Sequence, residues 1–378
     1  MRLYRYVVPG LVIQAVLVGG GYATGRELVE FFVSKGPLTG LAGIALTAVW
    51  FSAGTMVSFE LARRCRAFDY QSFCAVFLGR FTLLFELGYY ALLLLVLSVV
   101  SSAAGKLLAQ MTPLPELWGS VCYMAVVGLV VFFGNQVVER VISAWSIVFY
   151  ASYGILCARV VLKFGPQLSD AFAAVPLDWS EALRDSWSYL GYNVVIVPTL
   201  IFVARNLRSS TDSLVAGALA GPLILLPGVA SLCALSAFYP GIVQDALPIS
   251  TVLSRLDSPA LSLTIECVIL GAFVKTAVGL LHGLNERIAR AAAERGHRMP
   301  RLGRSAVSLG IMVVAVFVAS TFGIIALIGK GYRFSSYFFL VIFFLPLMIR
   351  GSWLLLRGMP HTTSKESGQC PAAGVDSP

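Results

Sequence analysis

Charge is scarce in this chain. Only 12% of its 378 residues are Asp, Glu, Lys or Arg, and 58% are hydrophobic, where a soluble domain carries about 25% charged and 45–50% apolar residues. The mean hydropathy of +0.83 lies on the membrane side of that gap. The shortage excludes an ordinary soluble enzyme, a nucleic-acid binder and a disordered scaffold. Histidine is scarcer still, with only His282, His297 and His361, so no metal site is expected. The seven cysteines form no CxxC pair, are odd in number and mostly sit inside apolar runs, where they read as small buried hydrophobes. No P-loop, HExxH or GxSxG motif occurs, so no catalytic residue, no cofactor and no enzymatic activity are expected. A filter-like repeated loop of the channel kind is missing too. The alternating segments of about ten residues that mark a membrane β-barrel are absent.

Long apolar runs are what the chain has instead. At about 20 residues per span, ten runs are long enough to cross a bilayer, roughly 6–33, 37–62, 81–110, 116–134, 138–163, 187–207, 212–237, 259–285, 305–328 and 334–356. The fold class expected is therefore all-α and integral to the membrane, as one domain over 1–360. The first run is too long for a signal peptide and passes through Arg26, Glu27 and Glu30. An even number of spans puts both termini on one side. If that side is the cytoplasm, eighteen of the 28 basic residues lie inside, eight lie outside, and Arg26 and Lys275 remain at membrane depth. The positive-inside rule then predicts cytoplasmic termini. The arginine-rich loop after span eight contributes most and reads as an orientation signal against anionic lipid. Asp178 or Ser180 is placed to cap a short surface helix in the 164–186 loop. Pro240–Pro259 reads as a second outer element, and 361–378 as a disordered cytoplasmic tail.

The first span contains Gly19-Gly20-Gly21-Tyr22-Ala23-Thr24-Gly25, four glycines in seven residues. Glycine is a poor helix former, and a break at this depth frees backbone groups that hydrocarbon cannot satisfy. Secondary transporters build substrate sites from such discontinuous helices. A glycine-rich packing face is the plainer alternative, because Gly21 and Gly25 have small-xxx-small spacing. Span six carries Tyr189-Leu190-Gly191-Tyr192-Asn193 and then Pro198, a second weak point near 191. Each break opens a set of five spans, about 6–163 and 187–357, the pattern of an inverted repeat.

Charges adjoin the first break. Glu27 falls in the first turn of the outer half-helix, where the dipole favours an anion. It reads either as part of a buried ion network or as a cation- or proton-handling group. Arg26 and Glu30 are i,i+4 and able to pair. In span eight, Lys275 either pairs with a carboxylate, Glu27 and Glu86 being candidates, or titrates. Facing the break in span one, its ammonium would stand where a transporter can bind Na⁺, and proton coupling would follow. Glu86, Tyr89 and Tyr90 in span three either line a cavity or pack in the bundle.

The run Gly19–Glu27 followed by Phe31-Phe32 resembles the first-helix signature of the YkvI-type bacterial membrane proteins. Tyr189-Tyr192-Asn193, Asn285-Glu286-Arg287 and Gly329-Lys330-Gly331-Tyr332 are similar as well. The resemblance implies a LeuT-like fold of the amino acid–polyamine–organocation superfamily, with five plus five helices and broken helices one and six. It implies an amino acid permease of the bacterial inner membrane. By that likeness Gly19, Gly20, Gly21, Tyr22, Ala23, Thr24, Gly25, Tyr192 and Asn193 would line the substrate site, and Thr276 would sit near a cation site. Arg26 stands where the family has a polar amide, and Lys275 where a small hydroxyl residue would suit Na⁺.

The expectation is a secondary transporter, permease or symporter, for a small organic solute, foremost an amino acid, coupled to H⁺ or Na⁺ through Glu27, Lys275 and Thr276. The substrate carboxylate would meet backbone amides at the start of the outer half of helix one. A non-transporting membrane sensor or scaffold that binds a small ligand is the alternative.

Overall fold

The computed structural model describes residues 2–133, 136–294 and 301–357. The described residues are helical throughout, with no strand. Helix α1 (Arg2–Leu17) begins the first span; short turns α2 (Gly20–Ala23) and α3 (Arg26–Leu28), extended by a π-turn to Val33, complete it. Then come α4 (Pro37–Cys65), α5 (Tyr70–Leu78), α6 (Thr82–Met111), α7 (Glu116–Phe133), α8 (Gln136–Lys163) and α9 (Gly165–Ala174). Helix α10 (Trp179–Asn193), α11 (Ile196–Thr199) and a 3₁₀ turn to Asn206 form the sixth span. Helices α12 (Ser210–Ser236), α13 (Pro248–Arg255), α14 (Pro259–Glu294) and α15 (Arg301–Ala326) follow, and α16 (Arg333–Phe339) and α17 (Ser352–Leu356), joined by π-helical turns, end the tenth span.

The ten apolar runs all appear, with shifts that have local causes. Span six starts at Trp179 rather than 187, because Asp178 caps α10 itself by accepting from the Ser180 and Glu181 amides. The Ser180 hydroxyl, and after it the Glu181 amide, hold the Asp178 carboxyl below the usual carboxylate range. The surface helix of that loop is α9, which opens on Gly165-Pro166. Its bend of 82° from α8 leaves it off the direction of span five. Helix α5 was not expected; Asp69 caps it by accepting from Ser72 N at 2.9 Å. The turn between spans nine and ten falls at Gly323 (φ 70°, ψ 164°), not at Gly329–Tyr332, which stay helical as a π-turn. The segment 361–378, His297 and Arg298 lie outside the described residues.

The spans fall into two groups, which meet where α12 packs on α8 and α2 on α6 and α14. In one, α12 packs on α1 and runs along α4, and α4 packs on α10; α6, α7, α8, α14 and α15 form the other. Small residues let α4 and α12 approach closely. Thr55 Oγ1 donates to the Gly217 carbonyl at 2.8 Å and Ser52 Oγ to the Ala218 carbonyl at 2.8 Å, hydrogen bonds of the kind that join helices in lipid. This is the LeuT-like arrangement of five plus five helices, with spans one and six interrupted.

Both ends of the described chain lie on one face. There the buried Glu60 carboxylate accepts from Arg63, Arg64 and Ser210 at 2.6–2.9 Å, tying the end of α4 to the start of α12. Arg5 pairs with Asp212 at 3.6 Å, and Arg64 Nη1 donates to the Leu355 carbonyl at 2.9 Å.

Candidate functional site

The first break runs from Val18 to Gly25. Gly19 N reaches only the Leu17 carbonyl, at 2.7 Å, so the end of α1 and the start of α2 are left without regular partners. Helix α14 supplies them. Thr276 Oγ1 accepts from Gly20 N at 3.2 Å, and Lys275 Nζ donates to the Ala15 carbonyl at 3.1 Å. Broken backbone at membrane depth persists only where such partners exist. Gly25 then takes φ +78°, a left-handed conformation that glycine adopts without strain. It turns the chain into α3, with Thr24 Oγ1 accepting from Arg26 N at 3.1 Å.

The second break lies at Val194–Val195 and Leu200, not at Gly191. Gly191 stays helical because its missing Cβ lets α10 lie against α16: a Cβ there would come 2.7 Å from Ser336 Cα. Pro198 sits inside α11, the one turn that survives beyond the break.

Between the two breaks lies a cavity of about 810 Å³. Gly19, Gly20, Gly21 and Glu27 line it from span one; Tyr192 and Asn193 from span six; Lys275 and Thr276 from span eight. Tyr22, Ala23, Thr24 and Gly25 do not. The turn at Gly25 carries them behind the wall, where Tyr22 is buried toward Gly228 and the Ala23 carbonyl accepts from Tyr153 Oη. Glu86, Tyr89 and Tyr90 are lining residues, which settles the alternative left open by their sequence. Asp69, Arg287 and Tyr332 also line the cavity; Arg287 and Tyr332 entered the sequence reading only within runs similar to the family's, and Asp69 not at all. Arg287 lies between the rings of Tyr70 and Tyr89 at 4.2 and 4.1 Å, a cation–π arrangement.

Glu27 is the most unusual group here. It is 6% exposed and faces the cavity. Its Oε2 accepts from Tyr192 Oη at 3.0 Å, and no other polar partner is recorded for it among the described residues. Its carboxylate lies on Gly21, where a Cβ would stand 2.9 Å from Glu27 Cδ and closer still to Oε1. The rings around it are aromatic: Tyr192 stacks on Tyr332 at 4.5 Å and lies 5.6 Å from Phe31. Taking a carboxylate out of water costs several kcal/mol unless a cation, a proton or further donors compensate.

The cavity is closed toward one face and open toward the other. On the closed side Arg26, 3% exposed, donates to the Val243 and Asp245 carbonyls at 2.6 and 3.0 Å and pairs with Glu30 at 2.5 Å. Arg333 pairs with Asp185 at 3.2 Å and with Glu30 at 3.8 Å. Ile249 N donates to the Thr24 carbonyl at 3.0 Å. The opposite wall reaches Phe68, Asp69, Tyr70 and Gln71, just past the end of α4, and Arg287. That is the face that carries both ends of the described chain. Partial burial raises the Asp69 carboxyl, but the Ser72 hydroxyl and amide outweigh it and hold the group below the usual range.

Among the described residues no group of three His, Cys, Asp or Glu is placed to hold a metal ion. Of the described cysteines, Cys74 and Cys157 are buried and Cys122 and Cys267 exposed.

No family model matches the chain. It is similar to the uncharacterized membrane protein YkvI of Bacillus subtilis (strain 168), 26% identical over 286 residues, 73% of this chain and 79% of that one. A crystal structure of a mutant Eremococcus coleocola manganese transporter matches with TM-score 0.55 and 14% identity, covering 95% of this chain and 89% of that one. The same transporter in complex with an aromatic bis-isothiourea substituted compound matches with TM-score 0.54 and 13% identity, over 93% and 86%. At these identities the likeness is one of fold.

Proposed function

We propose that the protein is a secondary transporter of a small organic solute, with amino acids the leading class, working by alternating access. One observation carries the reading: two interrupted helices meet at a cavity that is sealed by ion pairs on one side and open on the other. A carrier needs such an asymmetric state and a second one of opposite sense. By the basic-residue bias the open face is cytoplasmic and the membrane is the bacterial inner membrane. Rocking α1–α3, α4, α10–α11 and α12 against the other group would open the Arg26–Glu30–Arg333–Asp185 end and close the mouth at Tyr70 and Arg287.

Lys275 carries the coupling in this reading. Its ammonium already sits on the carbonyl end of α1, the position where a bound monovalent cation would otherwise complement the half-helix dipole. Protonation of Lys275 would take the place of a bound Na⁺, and the driving ion is H⁺. The sensor reading predicts the same ligand binding with no change of sidedness.

Sided labelling decides between them. A cysteine at Asn193 should react with an impermeant maleimide from the chain-end face of oriented vesicles, and from both faces once a transported ligand cycles the protein. Reaction from one face alone under every condition would remove the carrier reading.

A further inference from the structure

Pro222 and Pro227 lie inside α12. Each lacks the amide that would donate to the carbonyl four residues earlier, so Ala218 and Leu223 lose their helical partners. Both carbonyls receive a donor instead, each from a different helix. Ser52 Oγ of α4 donates to the Ala218 carbonyl at 2.8 Å, and Gln14 Nε2 of α1 donates to the Leu223 carbonyl at 2.6 Å. Gly10 gives α1 the close approach this requires: a Cβ there would stand 3.1 Å from Ala220 Cα. Gly221 does the same for α4, since a Cβ there would run into Ser52 Oγ and the Ala48 carbonyl.

We infer that Gln14 is a positioning residue. Through the carbonyl that Pro227 leaves free, it fixes the inner half of span one to α12, so that α1 follows α12 and not α14 when the cavity changes the side it faces. Span one is held on both flanks at this point. The Ala15 carbonyl, one residue on, accepts from Lys275 of α14 at 3.1 Å, and α14 belongs to the other group of spans. When the two groups move against each other, one tie must give. Ala15 and Lys275 both line the cavity, where water can take the place of either partner. Leu223 does not line it, and Gln14 is buried against α12. The Leu223 carbonyl therefore has neither an amide of its own helix nor cavity water to fall back on, and hydrocarbon offers none. The tie to α14 exchanges, and the tie to α12 persists. Ser52 holds α4 to α12 in the same way, and Thr55 Oγ1 adds the Gly217 carbonyl at 2.8 Å. The inference rests on the transporter reading for the movement, and on the hydrogen bonds alone for the tie.

The test is distance measurement by electron paramagnetic resonance on the purified full-length protein in liposomes, at acid and at neutral pH. Nitroxides are carried on a genetically introduced keto amino acid, which leaves the native cysteines alone. The label sites are Tyr4 in α1, Leu214 in α12 and Leu309 in α15, all exposed. In the wild type the Tyr4–Leu214 distance should have one component, and any change in Tyr4–Leu309 should be matched by Leu214–Leu309. Gln14→Leu should add a second, longer Tyr4–Leu214 component and leave Leu214–Leu309 as it was. Gln14→Leu combined with Pro227→Ala returns a helical amide to the Leu223 carbonyl. That variant should melt as the wild type does and still show the second component, whereas a role confined to satisfying a buried carbonyl would be rescued in both readouts. The inference is overturned if Tyr4–Leu214 has more than one component in the wild type, which needs no variant to decide, or if it keeps a single component in either Gln14 variant that elutes as a folded species. A wild type whose Tyr4–Leu309 distance never changes, with a Tyr4–Leu214 distance that depends on Gln14, would count against the transporter reading and leave this tie standing.

Discussion

Gly21→Ala is the smallest change that reaches the centre of the site. On helix preference alone the substitution should help, since alanine gains about 0.8–1 kcal/mol over glycine in a helix interior. The structure opposes that gain. The new Cβ would stand 2.9 Å from Glu27 Cδ and still closer to Oε1, so the carboxylate must swing away and the Tyr192 bond at 3.0 Å must break or bend. A hydrogen bond to a charged group contributes about 1.5–3 kcal/mol, a factor of about 10 to 150 in affinity at roughly 1.4 kcal/mol per decade. The expected outcome is unchanged membrane insertion and melting temperature, with phenylalanine affinity down by that factor in isothermal titration. Gly19→Ala serves as the companion, because its Cβ would meet the Thr276 hydroxyl at 3.1 Å and leave Glu27 in place. Binding by Gly21→Ala within a factor of about two of wild type, the scatter of independent mutational effects, would refute the placement of Glu27 on this glycine.

Three further outcomes are expected. Lys275→Ala removes the ammonium from the Ala15 carbonyl; gradient-driven uptake should be lost while exchange of ligand across the membrane survives, as counterflow would show. Arg26→Gln breaks contacts to Val243, Asp245 and Glu30 at once, so a cysteine at Asn193 should become reactive from the sealed face without added ligand. Asp69→Ala removes the cap of α5 and should cost about 1 kcal/mol of local stability, seen as faster amide exchange in Tyr70–Leu78. Because the Asp69 carboxyl is depressed in the folded state, its contribution is present above its ordinary value near about 3.9 and fades as the pH falls through the lowered one.

Much of this architecture is legible in the residues. Ten apolar runs set the spans because lipid demands continuous helical hydrogen bonding, and four glycines in seven residues mark the break in span one. The second break was displaced, since Gly191 looks like a weak point in sequence and acts as a contact with Ser336 in space. The turn at Gly323 was equally hidden: one glycine in an apolar run gives no hint that it takes φ +70°, whereas Gly329 and Gly331 suggest a loop and remain helical. The pair Arg26–Glu30 follows from i,i+4 spacing, but its extension through Arg333 to Asp185 joins residues distant in sequence, Arg333 and Asp185 being 148 positions apart and Glu30 farther still from Arg333. Tyr332 and Arg287 enter the site for the same reason. Periodicity names the face of a helix, and only packing says which helix that face meets. The orientation of Glu27 was the costliest omission, because its position in the first turn fits both an ion network and a cation- or proton-handling group.

The most direct test of the account is uptake of radiolabelled phenylalanine into proteoliposomes containing the purified protein, with the interior alkaline and no Na⁺ on either side. Phenylalanine is a zwitterion and should not accumulate passively in response to that gradient. The account predicts accumulation above the external concentration, collapse on adding a protonophore, and loss of accumulation in Lys275→Ala. A protein that binds phenylalanine yet neither accumulates nor exchanges it would contradict it and identify the chain as a ligand-binding protein that does not transport.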